Sequence, residues 1–322
     1  MSDVEPVGRR AQGAPPWISA AEVFARTDYA SAVRAIQRDL RAGLEPGDDF
    51  SRAILPVAHG QLLVMPSQSD RFVGVKIATV APGNPSLGKE RIQGIYVLLD
   101  AATLSPLALL DGTALTTLRT PAVSAAVADY LAPDRVDHLV VFGAGPQARG
   151  HIHSIRAIRT VERITVVGSA RGRAAAFARE LRADGMNARE GVAADVRDAQ
   201  IIVCATTART PLFDGGAIAN DSCTIAVGSH ETDAREFDSV LAGRSQIVVE
   251  NVAVALRESG EVAIPISEGI VRPHELVPLR DIVIGSVPVD RTRPRVFTSS
   301  GMSWEDLVIA AEVYESPHAA AR

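Results

Sequence analysis

The chain has 322 residues, 47% of them hydrophobic and 22% charged, which is enough for about two domains of ~150 residues, each with a sizeable core. A net charge of −5 supplies no basic surface for nucleic acid. No apolar run approaches the ~18 residues of a membrane span, and residues 1–16 lack the apolar core of a secretory signal, so we expect a cytoplasmic protein.

The first part of the chain, to about residue 118, reads as an α+β domain. Apolar residues spaced on one face predict a helix over 29–42. Strand candidates follow without intervening helices, which favours an antiparallel sheet. These candidates are GQLLVMP (60–66), FVGVKIATV (72–80), GIYVLLDA (94–101) and PLALLD (106–111).

From about residue 119 to 289, short apolar strands alternate with helices, as in DHLVVFGAG followed by a helix to Ile158. This rhythm predicts a parallel sheet covered on both faces. Cys204 and Cys223 lie in two of these strands and are interpreted as buried, reduced thiols. From about residue 299 the chain predicts a last helix, capped by Thr298 or a nearby serine.

The stretch Gly143-Ala144-Gly145 follows the first strand of the alternating region and opens a helix. There the first glycine makes the turn, the second lets the backbone approach a pyrophosphate, and Ala148 takes the third position of the dinucleotide-binding pattern. The alternative is a structural turn in a domain that binds no nucleotide.

The end of the second strand, RITVVGS, bears on which nicotinamide cofactor is bound. A site for NAD places an acid there for the ribose 2′-hydroxyl, but the residues present are Ser169, Arg171 and Arg173. A hydroxyl and guanidinium groups suit a 2′-phosphate, so NADP(H) is favoured and NAD(H) remains possible. The alternative is that both arginines are only solvated. His151 and His153 do not have metal-ligand spacing, and we predict no metal site.

The stretch GVKIATV, then GIYVLLDAATLSPLALLDGTALTTLRTPAVSAAVADYLA and VVFGAGPQA, with CATTARTPLF and VGSHETDAREFD later, resembles the ornithine cyclodeaminase/μ-crystallin family. The combination of RTxAxSA with GAGxQA about twenty residues later is specific. The resemblance implies a substrate-binding and dimerising domain at 1–118 plus 299–322, and a Rossmann NAD(P)-binding domain at 119–298. The predicted fold is therefore α/β, with a doubly wound parallel sheet and an α+β domain completed by the C-terminal helix.

Carried over from the family, three cations are implied to bind the substrate: Arg52, Lys76 and Arg119. The implied cofactor positions, together with the residues that end the second strand, are Thr120, Gly143, Ala144, Gly145, Pro146, Gln147, Ala148, Ser169, Arg171, Arg173, Thr206, Thr207, Gly228 and Gly301.

The cation set also has a chemical rationale. A guanidinium holds a carboxylate with two parallel hydrogen bonds, and a lysine adds a point charge. Lys76 lies in an apolar strand, where an ammonium group needs either a structural salt bridge or a ligand. Arg119 is expected to end an extended segment and begin a helix, whereas Arg52 is equally consistent with an ordinary surface arginine.

One position departs from the family. In ornithine cyclodeaminases an aspartate follows the strand that here reads CTIAVGS, and this chain has His230 instead. His230 can donate a proton to an imine nitrogen, directly or through water, or it can simply pack at the edge of the site. Asp233 and Glu236 are interpreted as acids at the start of a helix.

These residues predict an NADPH-dependent reductase of cyclic ketimine carboxylates, of the Δ1-pyrroline-2-carboxylate or Δ1-piperideine-2-carboxylate type, with Lys76 and His230 as catalytic residues. The alternatives are an ornithine or lysine cyclodeaminase using NAD, an amino-acid oxidoreductase of the alanine dehydrogenase type, and an NADPH-dependent ligand-binding protein. The expected partners are a small carboxylate substrate and a second copy of the chain, with neither nucleic acid nor a membrane.

Overall fold

The computed structural model describes residues 14–228 and 231–316, and the chain divides into two compact units. The first unit is Met1–Arg119 with Met302–Arg322, and the second is Thr120–Gly301.

Within the described residues the strands are β1 (Trp17–Ile18), β2 (Ala53–Val57), β3 (Gly60–Gln68), β4 (Phe72–Val80), β5 (Ile92–Asp100), β6 (Pro106–Asp111), β7 (Val136–Phe142), β8 (Val161–Val167), β9 (Ala188–Glu190), β10 (Ile201–Cys204), β11 (Cys223–Ala226), β12 (Gln246–Val249), β13 (Val277–Pro278) and β14 (Arg295–Thr298). The α-helices are α1 (Ala20–Arg26), α2 (Tyr29–Ala42), α3 (Gly112–Leu131), α4 (Pro146–Ile158), α5 (Arg173–Ala183), α6 (Ser239–Arg244), α7 (Val252–Glu258), α8 (Gly260–Ser267), α9 (Leu279–Val283) and α10 (Ser303–Glu315).

The first unit is built on a sheet with the strand order β1-β6-β5-β4-β3-β2. β3 to β6 pair antiparallel, as predicted. Two strands that were not predicted extend the sheet: β2 pairs antiparallel with β3, and β1 pairs in parallel with β6. Alternate residues of β4 are buried, since side chains of a strand point to opposite faces in turn. Helix α10 packs against β3, β4 and α2, so the C-terminal segment covers the buried face.

The second unit contains a parallel sheet with the order β13-β12-β14-β11-β10-β7-β8-β9. β10, β11, β12 and β14 are buried throughout, as expected for a sheet covered on both sides. From β7 the chain continues to β8 and β9 on one side, and it then crosses back to form β10 on the other side of β7. Such a switch point creates a crevice at the carboxyl end of the strand, which places the glycine turn after β7 at a binding position. The predicted fold class is confirmed.

The position of Arg119 differs from the expectation. Arg119 lies inside α3, whose start is capped by the Asp111 carboxylate accepting from the Ala114 N–H at 2.8 Å. The prediction failed because Pro121 reads as a first-turn residue, although it lies inside the helix. A proline there costs about 3 kcal/mol, which burial of two leucines such as Leu115 and Leu118 offsets at about 1.5–3 kcal/mol each.

Two interpretations of the chain after residue 230 are also wrong. Thr298 does not cap α10; it is the last residue of β14, a strand too short to stand out in the sequence. The α10 start is instead closed by the Glu305 carboxylate, which accepts from the Met302 N–H at 3.1 Å. Glu236 is not at a helix start either, because α6 begins at Ser239.

Arg295 anchors β14 from a fully buried position. Its Nε donates to the Leu131 carbonyl at 2.9 Å, and Nη1 donates to the Asn220 carbonyl at 3.1 Å. Nη2 donates to the Asp221 carboxylate at 2.8 Å. The guanidinium therefore satisfies carbonyl groups at the amino edge of the parallel sheet.

We expect Arg295→Met to lower the free energy of unfolding by about 3 kcal/mol, because the buried Leu131 carbonyl left without a donor costs about 1–3 kcal/mol and the part-buried Asn220 carbonyl also loses a donor. Arg293→Met is the control, since Arg293 is half exposed and forms a surface ion pair with Asp290, with an expected change below about 0.5 kcal/mol. Urea denaturation of both variants checks this. Equal losses in the two variants would contradict the anchoring role.

Candidate active site

The turn after β7 has the geometry of a dinucleotide-binding turn. Gly143 has φ +112°, and a Cβ there would lie 2.5 Å from the Ala205 carbonyl oxygen. Gly145 is the N-cap of α4, and a Cβ on it would meet nothing within 4 Å. Ala148 is fully buried, as the close packing of helix on strand requires.

The start of α4 faces open space. No side chain caps this 13-residue helix, so its first N–H groups remain available for an anion. Beside it lies a pocket of about 450 Å³, lined by Ala144, Gly145, Pro146, Arg149, Arg173, Ala176, Phe177 and Glu180. The volume and the uncapped N–H groups are compatible with a pyrophosphate and its adjoining ribose.

The connection from β8 to α5 borders this pocket. Ser169, Arg171 and Arg173 are exposed on it, and α5 begins at Arg173, which lines the pocket. No acid lies between Gly168 and Arg173. This stretch therefore presents positive charge and a hydroxyl where an NAD site presents a carboxylate.

The loops after β10 and β11 are joined by a buried glutamate that the sequence interpretation missed. Glu236 accepts from the Thr206 N–H at 2.8 Å, from the Thr206 hydroxyl at 2.7 Å and from the Gly228 N–H at 2.7 Å. Thr207, the neighbouring predicted residue, is exposed.

The loop before α10 is held in the same way. Glu250, at the end of β12, accepts from the Ser299 hydroxyl at 2.6 Å and from the N–H groups of Ser300 and Gly301, each at 3.1 Å. Gly301 has φ +80°, a conformation that favours glycine. An acid directly after an apolar strand was the available signal for Glu250.

Two predicted cofactor positions remain, Thr120 and one residue in the first turn of α4. Gln147 is in that turn, and its carbonyl accepts from His151 Nδ1 at 2.8 Å. The other ring nitrogen accepts from the Ser124 hydroxyl at 2.9 Å, and burial lowers the pKa of His151 to about 4. His151 is thus a neutral structural residue. Thr120 is half-buried at the start of the second unit.

Within the first unit, Lys76 and Arg119 converge on adjacent acids of α10. Lys76 is 3% exposed, and its Nζ donates to Asp306 Oδ2 at 2.6 Å. The Arg119 guanidinium pairs with Glu305, and its Nε lies 3.7 Å from Asp306 Oδ1. Both acids are fully buried, so the structure brings two of the three predicted cations to one acidic pair.

The environment of Lys76 favours a readily lost proton. Burial lowers its pKa to about 8; Asp306 opposes this shift, and Arg119 adds to it. Tyr96, its partner across β4 and β5, is fully buried. Burial, with the charge of Asp306, raises the pKa of Tyr96 well above its usual range, so the phenol beside Lys76 stays neutral.

Arg52 and His230 are the remaining predicted site residues. Arg52 is half-buried and directly precedes β2, which pairs with β3 rather than with β4. His230 lies outside the described residues. Among the described residues there is no group of three acids, histidines or cysteines able to hold a metal ion, and no helix long and apolar enough to span a membrane.

Comparison with known proteins identifies relatives over most of the chain. A Delta(1)-pyrroline-2-carboxylate reductase of Bacillus cereus is 34% identical over 276 residues, 82% of this chain and 84% of the relative. The ketimine reductase mu-crystallin of Rattus norvegicus is 30% identical over 312 residues, 94% of this chain and 97% of the relative.

A solved structure supports the same relationship. The Delta(1)-pyrroline-2-carboxylate reductase of Thermococcus litoralis, in complex with NADH and L-proline, superposes with a TM-score of 0.88 at 29% identity, over 94% of this chain and 97% of that one. The model of the ornithine cyclodeaminase/mu-crystallin family matches residues 18–320. The chain therefore belongs to the ornithine cyclodeaminase/mu-crystallin family, as its motifs predicted.

Proposed function

We propose that this protein is an oxidoreductase of C–N bonds that reduces cyclic ketimine carboxylates to cyclic L-amino acids with NADPH. The observation that carries the proposal is the buried pair of cations, Lys76 and Arg119, in a chain whose curated relatives are pyrroline-2-carboxylate and ketimine reductases. A substrate of this class combines an imine with a carboxylate, and the two cations suit the carboxylate.

The residues present fit a nicotinamide cofactor. The Gly143–Ala148 turn and the uncapped start of α4 would hold the pyrophosphate. Arg173 and Arg171, with Ser169, would hold a 2′-phosphate, which favours NADPH while leaving NADH possible. When bound, the cofactor supplies a hydride for the imine carbon.

The chain's own groups bind the substrate and manage the proton. Lys76 has three N–H donors; Asp306 accepts one at 2.6 Å and Thr116 another at 3.4 Å, which leaves the third for a substrate carboxylate. Arg119, with Arg52 as a further contact, completes the clamp. Reduction of C=N adds one hydride to carbon and one proton to nitrogen, and we assign the proton to His230.

We further propose a homodimer formed through the face of the first unit's sheet opposite α10. Ile77 and Ile95 are cross-strand partners on this face and are 37% and 41% exposed. Leu55 and Val57 of β2, which the register through β3 places on the same face, are also exposed. A contiguous apolar surface of this kind favours burial against a second copy. We also propose that the protein is cytoplasmic, because Cys204 and Cys223 are buried, free thiols.

The proposed reaction is tested with purified protein, NADPH or NADH, and Δ1-pyrroline-2-carboxylate. We expect NADPH to be consumed with formation of proline, and more slowly with NADH. A parallel reaction holds L-ornithine and NAD, and we expect no ammonia there. Ammonia from ornithine without imine reduction would establish cyclodeamination instead, with His230 in the place of the aspartate.

The pH dependence tests the role of Lys76. Its ammonium form binds the carboxylate, and its pKa is about 8, so kcat/KM for the imine should fall as the pH rises above about 8. In Lys76→Arg the guanidinium stays charged, so the decline should move to higher pH with the same substrate. If wild type and variant declined at the same pH, titration of the substrate itself would be the cause.

The dimer is tested by sedimentation equilibrium of the wild type and of Ile77→Glu. We expect the wild type to sediment at twice the mass of one chain, and the charged variant to dissociate because a buried unpaired carboxylate is costly. Leu87→Glu is the control, since Leu87 is exposed outside this face. A monomeric wild type would refute the proposal.

A further inference from the structure

Glu236 is buried in the segment that precedes α6, yet its carboxylate serves residues far from it in the sequence. Oε1 accepts from both the N–H and the hydroxyl of Thr206, and Oε2 accepts from the N–H of Gly228. Thr206 lies on the loop after β10 and Gly228 on the loop after β11. A single side chain therefore joins two loops at the carboxyl edge of the parallel sheet.

The chemistry of this bridge requires a carboxylate. Both oxygens must accept, because each faces an N–H donor of a different loop. A glutamine has one acceptor oxygen, and its amide group would place a donor against the other N–H. Position 236 is therefore a glutamate because its carboxylate bridges the two loops, and not because it lies at the start of a helix.

The two loops are also packed in direct contact. A Cβ on Gly228 would lie 2.1 Å from the Thr206 carbonyl oxygen and 2.5 Å from Glu236 Oε1. Real side chains do not fit at such distances, so the loops and the carboxylate form one closely packed unit. A change in the bridge therefore moves both loops.

A second buried acid holds Glu236 itself. The Glu236 N–H donates to Glu261 Oε1 at 3.0 Å, and the Ser259 hydroxyl donates to Glu261 Oε2 at 3.2 Å. Burial raises the pKa of Glu236, and the hydrogen bonds from Thr206 and Gly228 oppose that rise. The bridging residue is therefore fixed at its backbone as well as at its carboxylate.

The Thr206 hydroxyl is already engaged in hydrogen bonds within the protein. A hydroxyl has one donor, and that of Thr206 is given to Glu236, while its oxygen accepts from the Ala208 N–H at 3.1 Å. We infer that Glu236 is a positioning residue: it sets the conformation of the loops after β10 and β11, and through them the affinity for the nicotinamide cofactor, with the Thr206 hydroxyl serving this bridge. The inference rests on the proposed function.

The test compares Glu236→Gln with Asp238→Asn, a control with the same chemistry two residues away. Asp238 also accepts backbone N–H groups from two segments, Gly215 at 3.0 Å and Leu241 at 2.9 Å, but no hydrogen bond among the described residues joins it to Thr206 or Gly228. Kd for NADPH is measured by fluorescence, together with KM for NADPH, kcat at saturating NADPH and thermal stability.

We expect Glu236→Gln to raise Kd and KM for NADPH about tenfold, because the two loops would then have to be ordered each time the cofactor binds, while kcat at saturating NADPH is retained. Asp238→Asn should lose stability but keep its affinity for NADPH. If Glu236→Gln does not fold, Glu236→Asp decides, since its shorter carboxylate cannot reach both loops and should raise Kd similarly.

A double-mutant cycle with Thr206→Val separates the two roles of Thr206. If its hydroxyl acts through Glu236, the effects of Glu236→Gln and Thr206→Val on Kd are not additive. Additive effects, or an unchanged Kd in Glu236→Gln, overturn the inference while wild-type turnover stands. A wild type that binds neither NADPH nor NADH overturns the proposed function as well.

Discussion

The burial of charge is the constraint on which this structure depends. An ammonium group in the apolar strand β4 cannot remain charged without a counter-charge, and Asp306 of α10 supplies it at 2.6 Å. Glu305 pairs with Arg119 in the same way. In the first unit, ion pairs therefore join α10 to β4 and to α3, in addition to the apolar packing. The C-terminal segment is required for the cations as well as for the core.

The second unit meets a related constraint with backbone groups. Parallel strands end at a common edge, where the loops that follow have N–H groups without ladder partners. Glu236 accepts those of Thr206 and Gly228, and Glu250 accepts those of Ser300 and Gly301. The starts of α4 and α5, which also lie at this edge, have no side-chain cap. The edge thus separates loops fixed by acids from a turn open to an anion.

The buried cations and acids of the first unit form a cluster without net charge. The formal charges of Lys76, Arg119, Glu305 and Asp306 sum to zero (two cations and two anions). Under the proposed function, a substrate carboxylate would therefore gain affinity from the geometry of the N–H donors and not from an excess of positive charge. Since the pKa of Lys76 is about 8, one of these donors is sensitive to pH close to neutrality.

The sequence by itself determined the periodic elements: α2 begins and ends where its apolar spacing predicted, and the strand–glycine turn–helix from β7 to α4 followed from its pattern. Local spacing reports such features because they depend on neighbours along the chain. Only the tertiary structure revealed that Glu236 bridges two loops, that Thr298 ends a strand, and that Lys76 meets Asp306. The local sequence could not predict these features, because Lys76 and Asp306 are 230 positions apart. A buried acid also has the same local sequence pattern as an acid at the start of a helix.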